Sequence, residues 1–330
     1  MEKTFLRIVK LISFVVLILG FTAGLLYLIL PLEREDLDQK ARETAEGSFV
    51  ELTDGIVHFE VQGDPEDPLV VLIHGFSVPY YVWDPTAADL ADSGFQVLRY
   101  DLYGRGYSDR PDTSYDLDLF VRQLDELIRE IGSPQPVHVI GLSMGGPIAA
   151  SYAVLHPERV QSVTLVAPEV LDTDSVDILP MNIPGVGDYF MHVILAPVLL
   201  PRLQAADFYQ PERFPEWESL YREQLKFHGT GKALLSTIRE LVDLHPLDIY
   251  KQLSETRIPV LIIRGEHDQT ITSEALSAIR HVLPEAGFTP VPEAGHLPHY
   301  EQPDLVNPAI ISFLEKTGSE IIPNLEFDGL

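Results

Sequence analysis

The sequence predicts an α/β fold: a parallel sheet with helices on both faces, interrupted by a helical insertion. Three observations lead there. Short β-branched runs alternate with stretches of helical period, the mark of a sheet whose strands are joined by crossover helices. The runs are apolar almost throughout, as strands covered on both faces are. The alternation then stops between about residues 169 and 245, where prolines, scattered aromatics and helical fragments collect.

The first element lies outside that pattern. Leu11 to Leu30 is a run of 20 residues without a charge. As a helix it rises about 30 Å, the thickness of a bilayer's hydrocarbon core. Lys3, Arg7 and Lys10 precede it, and Glu33-Arg34-Glu35-Asp36 follows. The excess of basic residues upstream puts the amino terminus in the cytoplasm and the rest of the chain on the extracytoplasmic side. A cleaved signal peptide is the competing reading, but it needs a shorter apolar core and a small-x-small cleavage site. Here the segment ends Leu-Tyr-Leu-Ile-Leu-Pro-Leu-Glu. The expectation is a single-pass anchor over residues 1–31, followed by a charged linker or short amphipathic helix over 32–47.

Residues 48–168 read as the first part of the core. Phe49 to Thr53 and Ile56 to Gln62 bracket Asp54-Gly55, a hairpin signal. Further strands are expected at Leu69 to Ile73, Gln96 to Tyr100, Val137 to Leu142 and Ser162 to Ala167. Leu117, Val121, Leu124, Ile128 and Ile131 form one apolar helical stripe, closed by Gly132. Another helix is expected just after Ser143, with Pro147 tolerated in its first turn. Residues 169–246 read as an inserted cap with helical fragments at Trp217 to Phe227 and Lys232 to Val242. Residues 247–318 resume the core with strands at Pro259 to Arg264 and near Phe288 to Val291, and 319–330 form a tail.

Composition narrows the function. The chain has 50 acidic and 23 basic residues, a formal charge of −27, which repels nucleic acid and bare anionic headgroups. It has no cysteine, so disulfides, thiolate nucleophiles and Cys-ligated metals are excluded.

Gly141-Leu142-Ser143-Met144-Gly145 is a G-x-S-x-G motif between an expected strand and an expected helix. A sharp turn there exposes a serine hydroxyl, and its crowding calls for glycine on either side. The Met144 N–H then faces a developing oxyanion at the positive end of the helix. His74-Gly75-Phe76 follows another strand, and the Phe76 N–H is the expected second donor; His74 reads as a structural histidine of that loop. A serine nucleophile needs a histidine base, and the histidine an anionic partner. Arg264-Gly265-Glu266-His267-Asp268 and Glu293-Ala294-Gly295-His296 both follow strands, at the ends where parallel sheets build their sites. Asp268 is the expected acid and His296 the expected base. Glu169, at the end of the strand before the cap, is an alternative acid, and Glu266 a weaker one that reads as a surface carboxylate. His299, three residues after His296, raises a metal site, but no H-E-x-x-H pattern accompanies it. Met144 and the Leu195 to Leu203 cluster line either an acyl pocket or the core of the cap.

These blocks, with Asp101-Leu-Tyr-Gly-Arg-Gly-Tyr-Ser108 and Gly146, resemble the α/β-hydrolase superfamily in family order over roughly residues 49 to 316. With its amino-terminal anchor the chain is similar to membrane-anchored monoacylglycerol-lipase-like serine esterases and to bacterial esterases. The resemblance implies a mostly parallel eight-stranded sheet with an inserted helical cap, a structural role for the Asp101 to Ser108 loop, and no cofactor. Epoxide hydrolases and haloalkane dehalogenases of similar sequence carry an aspartate where Ser143 stands, which argues against both chemistries. The expected activity is hydrolysis of a small-molecule or lipid ester. Carbon–carbon bond hydrolysis, aminopeptidase activity on the same triad, or a non-catalytic scaffold are the alternatives.

Overall fold

The computed structural model describes residues 2–133, 135–170 and 178–319. Residues 171–177, at the start of the expected cap, and 320–330, nearly all of the expected tail, lie outside them.

The sheet has eight strands: β1 (Ser48–Leu52), β2 (Gly55–Gln62), β3 (Leu69–Ile73), β4 (Gln96–Tyr100), β5 (Val137–Leu142), β6 (Val160–Val166), β7 (Val260–Gly265) and β8 (Gly287–Val291). Their spatial order is β1-β2-β4-β3-β5-β6-β7-β8. The hairpin β1–β2 and the β2–β4 pair are antiparallel, and all later pairs are parallel. Every residue of β3, β4, β5 and β7 is buried, as expected of largely apolar strands covered on both faces, and Gln96, Arg99, His138 and Arg264 are buried with them.

Helices cover both faces. Helix α1 (Glu2–Ile29) and the single turn α2 (Gln39–Arg42) precede the sheet. Within it come α3 (Asp84–Asp92), α4 (Leu117–Ile131) and α5 (Gly145–Leu155). Helix α4 matches the apolar stripe, its amide ends satisfied by the Asp116 side chain at the start and Gly132 at φ 77° after the end. One face of the sheet packs residues such as Leu124, Ile148 and Val163, and the other packs Trp83, Ile140 and Ile310.

The insertion after β6 is helical. It contains α6 (Val186–Phe190), a π-helical stretch (Met191–Leu199), α7 (Leu200–Ala206), α8 (Trp217–Gln224) and α9 (Thr230–Leu241). Then α10 (Pro246–Thr256) leads back to β7. The two expected cap fragments are present, the first ending three residues early and the second starting two residues early. The chain finishes with α11 (Ser273–Val282), α12 (Pro298–Glu301) and α13 (Pro303–Ser319).

Helix α1 leaves large apolar side chains exposed along its length, including Leu17, Phe21 and Leu28 at 70%, 75% and 79%. The apolar stretch Ser13–Ile29 lies within this 28-residue helix, against the roughly 20 residues a span needs. By length and composition the 21-residue cap stretch Val186–Ala206 reaches that threshold, yet it buries Met191, Val193, Leu195 and Leu200. The α1 helix touches the cap: Tyr189 O–H donates to the Ala23 carbonyl at 3.0 Å, and Tyr27 packs on Tyr189 and His192. The linker is stitched to the cap more firmly. Arg34 and Glu35 N–H groups donate to the Lys226 carbonyl, His228 N–H donates to the Glu35 carbonyl, and the Glu33 carboxylate accepts from Gly229 and Gly231 N–H at 2.8 and 2.6 Å.

Candidate active site

Register brings the site together. Ile73 of β3 lies opposite Gly141 of β5, so the His74-Gly75-Phe76 loop emerges beside Ser143. Gly265 of β7 lies opposite Val291 of β8, so the loops carrying Asp268 and His296 also emerge side by side. All four loops leave the carboxyl edge of the parallel part of the sheet.

Ser143 sits at φ 51°, a left-handed conformation that is strained for a residue with a side chain. Its N–H donates to the Val166 carbonyl at 2.9 Å, and its carbonyl accepts from Gly146 and Glu169 N–H, which fixes the turn. The flanking glycines are steric necessities. A Cβ on Gly141 would stand 2.1 Å from the Gly145 carbonyl oxygen, and one on Gly145 would stand 2.4 Å from that of Ile73. The Phe76 and Met144 N–H groups donate to no protein acceptor among the described residues, so both remain available to a ligand.

His296 Nδ1 lies 3.1 Å from Asp268 Oδ2, and both side chains are buried. Asp268 Oδ1 is held in turn by Thr270 and Ile271 N–H at 2.8 and 2.9 Å, which aims the other oxygen at the imidazole. With Nδ1–H donated to Asp268, the Nε2 of the neutral ring is the atom able to accept a proton. Burial alone would lower the affinity of His296 for its proton. The Asp268 hydrogen bond and charge outweigh this, with help from Asp207 and Glu169, and raise it to about 9.

Ser143 and His296 line one cavity of about 300 Å³. Phe76, Val78, Leu142, Leu297 and the cap residues Ile178, Ile238, Leu241 and Val242 make its walls largely apolar. Glu169 and Asp207 also line it. Leu195 and Leu200 are buried within the cap and do not line this cavity, nor does the Met144 side chain, which borders a neighbouring one.

The other sequence candidates separate. His74 is fully buried; its Nε2 accepts from Leu102 N–H at 2.9 Å, so Nδ1 donates to the Gly75 carbonyl, and burial lowers its pKa to about 4. His299 is buried against Trp83 with Nε2 donating to the Val82 carbonyl at 3.1 Å, and burial lowers its pKa to about 3. Glu266 is exposed. Glu169 faces the cavity, and its Oε1 accepts from Val170 N–H. Asp101 accepts from His58, Tyr80 N–H and Tyr107 N–H, so its loop is knotted around a buried carboxylate.

Three further residues complete the surroundings. Arg105, fully buried, donates from Nε to the Phe76 carbonyl at 2.8 Å and from its two terminal nitrogens to the Tyr103 carbonyl and Thr237 Oγ1. Glu301 accepts from Gly295 N–H at 2.6 Å and from Tyr209 N–H at 2.7 Å. Asp207, in the cap, accepts His296 N–H at its carbonyl (2.8 Å) and the Thr270 hydroxyl at Oδ1 (3.1 Å). Only an arginine inside a glycine-rich loop and an acid shortly after His296 hinted at the first two; nothing in the sequence marks Asp207.

Comparison with known proteins agrees with this fold. The family model described as alpha/beta hydrolase fold matches residues 68–303. Lipase 3 of Moraxella sp. is 28% identical over 282 residues, covering 81% of this chain and 82% of that protein. Lipase 1 of Psychrobacter immobilis is 28% identical, with 82% of each covered. Among solved structures, a thermophilic esterase from Thermogutta terrifontis superposes with a TM-score of 0.69 at 22% identity, covering 83% of this chain and 99% of its own. A membrane phospholipase A superposes with a TM-score of 0.67 at 21% identity over 96% of this chain and 99% of its own. With the sheet, its inserted cap and the matched span all in agreement, this chain belongs to the α/β-hydrolase family.

Proposed function

We propose that this protein is a serine hydrolase that cleaves carboxylic esters of lipid-like or medium-chain acids through an acyl-enzyme. The observation that carries the reading is the shared cavity: Ser143 on its strained turn and His296 backed by Asp268 open onto one apolar-walled space. The two lipase relatives support an ester as the substrate.

His296 Nε2 takes the proton from Ser143 Oγ as the oxygen attacks the ester carbonyl carbon. The oxyanion that forms accepts from the Phe76 and Met144 N–H groups. Collapse expels the alcohol, which receives its proton from His296, and leaves the acyl group on Ser143. Water, deprotonated by His296, then attacks that acyl carbon and releases the acid. Asp268 fixes the tautomer and stabilises the imidazolium.

In the same reading the run from Leu11 to Leu30 anchors the domain in a bilayer, with the amino terminus cytoplasmic and the catalytic domain extracytoplasmic. Lys3, Arg7 and Lys10 support that orientation. The stitching of linker to cap, and exposed Leu179, Ile183, Val186 and Leu203 on the cap, support a lipid surface as the source of substrate.

Turnover of p-nitrophenyl esters from acetyl to palmitoyl by the full chain in detergent, beside Ser143→Ala, tests this. Serine-dependent turnover that rises to a medium acyl length is expected. A preference for acetyl with no gain beyond it contradicts the lipid-like substrate.

A further inference from the structure

The cavity holds more negative charge than the proposed chemistry uses. Asp268 is consumed by its bonds to His296, Thr270 and Ile271. Asp207 is different: it comes from the cap, its carboxylate is held at the rim by the Thr270 hydroxyl, and it borders the same space as Ser143. Its backbone is pinned from two sides. The Asp207 carbonyl accepts His296 N–H at 2.8 Å, and a Cβ on Gly295 would stand 2.4 Å from that same oxygen. The following residues are fixed as well, Tyr209 N–H by Glu301 and the Tyr209 ring by stacking on His267 at 4.0 Å.

Glu169 adds a second carboxylate to the lining. Among the described lining residues one group able to carry positive charge, His296, faces Asp207 and Glu169, and the remaining walls are largely apolar. A low-dielectric space bordered by fixed negative charge strongly disfavours another anion.

We propose that Asp207 is a specificity-determining residue: it restricts the site to esters without negative charge near the scissile bond, and excludes substrates that carry a carboxylate there. The proposal rests on the ester-hydrolase reading and sharpens it. It also sets aside dienoate substrates, whose carboxylate would have to sit in this space. The groups facing Asp207 are His296 and Asp268 from the core loops, with Glu169 across the cavity and His267 beside Tyr209. Burial raises the Asp207 carboxyl above its ordinary range, opposed by His296 and the Thr270 hydroxyl, so the discrimination strengthens as pH rises.

The test compares p-nitrophenyl methyl glutarate with p-nitrophenyl hydrogen glutarate, a neutral and an anionic ester of one acyl length. The full chain in detergent is expected to prefer the neutral ester in kcat/KM by about 10- to 100-fold. Asp207→Asn is expected to narrow that ratio by about fivefold or more, while Asp207→Glu preserves it. An unchanged ratio in an Asp207→Asn protein that unfolds at the wild-type temperature overturns the proposal. If that variant does not fold, a wild-type ratio near one overturns it equally. Absence of p-nitrophenolate release from either ester by the wild type defeats the ester-hydrolase reading, and this proposal with it.

Discussion

Arg105 Nε donates to the Phe76 carbonyl oxygen across 2.8 Å, so a buried guanidinium from the loop after β4 holds the residue whose own N–H, in the preceding peptide, is a proposed oxyanion donor. No carboxylate pairs with this arginine among the described residues. Carbonyl oxygens, the Thr237 hydroxyl and the rings of Phe76, Tyr115 and Phe120 surround it instead. Burial accordingly lowers its pKa to about 10.

Arg105→Met removes three hydrogen bonds and leaves their acceptors buried. The expected outcome is a loss of about 2–4 kcal/mol in stability and a fall of about tenfold or more in kcat as the Phe76 loop loosens. Urea unfolding and steady-state kinetics check both. Unchanged kcat with reduced stability shows that Arg105 does not position the loop.

Gly265 faces a similar constraint without any polar role. A Cβ there would stand 2.1 Å from the Gly295 carbonyl oxygen and 2.4 Å from that of Ala294. Gly265→Ala therefore separates β7 from the His296 loop, at an expected cost of about 2–4 kcal/mol. Thermal unfolding reads this, and a variant as stable as the wild type contradicts the packing described.

The pH dependence follows from His296, raised from 6.5 to about 9. Because the folded state holds this proton more tightly than the unfolded chain, its stabilising contribution is complete below about 6.5 and is lost as pH rises through about 9. The base must be neutral, so kcat/KM is expected to climb with pH and to pass half its limiting value near 9. Asp207→Asn removes one of the charges that favour the imidazolium and is expected to move the acid limb of the profile to lower pH. A limb that stays in place shows that Asp207 does not act on His296.

Glu33 binds the first amides of α9 from 196 residues away, one carboxylate oxygen on Gly229 N–H and the other on Gly231 N–H. Glu33→Ala leaves both unsatisfied at the positive end of a helix, and is expected to lower the local stability of α9 by about 1–2 kcal/mol. Hydrogen exchange over residues 227–241 reports it. Equal protection in the variant and the wild type excludes the clamp.

Much of this was legible in the sequence, for physical reasons that also mark where legibility ends. Strands such as Leu69–Ile73 and helix Leu117–Ile131 announce themselves because burial imposes a period on neighbouring residues. Ser143, Asp268 and His296 could be picked out because each occupies a strand-end loop with local turn chemistry. The exchange of β3 and β4 in the sheet order has no local signature, since it depends on crossovers between distant segments. The π-helical stretch Met191–Leu199 is apolar at every position but His192 and contains Pro197, so it shows no helical period. Arg105, Asp207 and Glu301 act through backbone partners in other segments, up to 92 residues away for Glu301 and Tyr209, and such pairings leave no pattern to read.

In the proposed mechanism Ser143 carries the acyl group, and that species can be trapped. Full chain mixed with p-nitrophenyl butyrate, quenched in acid within the first turnover and digested, is expected to yield the butyryl group on the peptide containing Ser143. The adduct and turnover should both vanish in Ser143→Ala. Turnover that persists in Ser143→Ala, with no acyl group on Ser143 in the wild type, rules out Ser143 as the nucleophile.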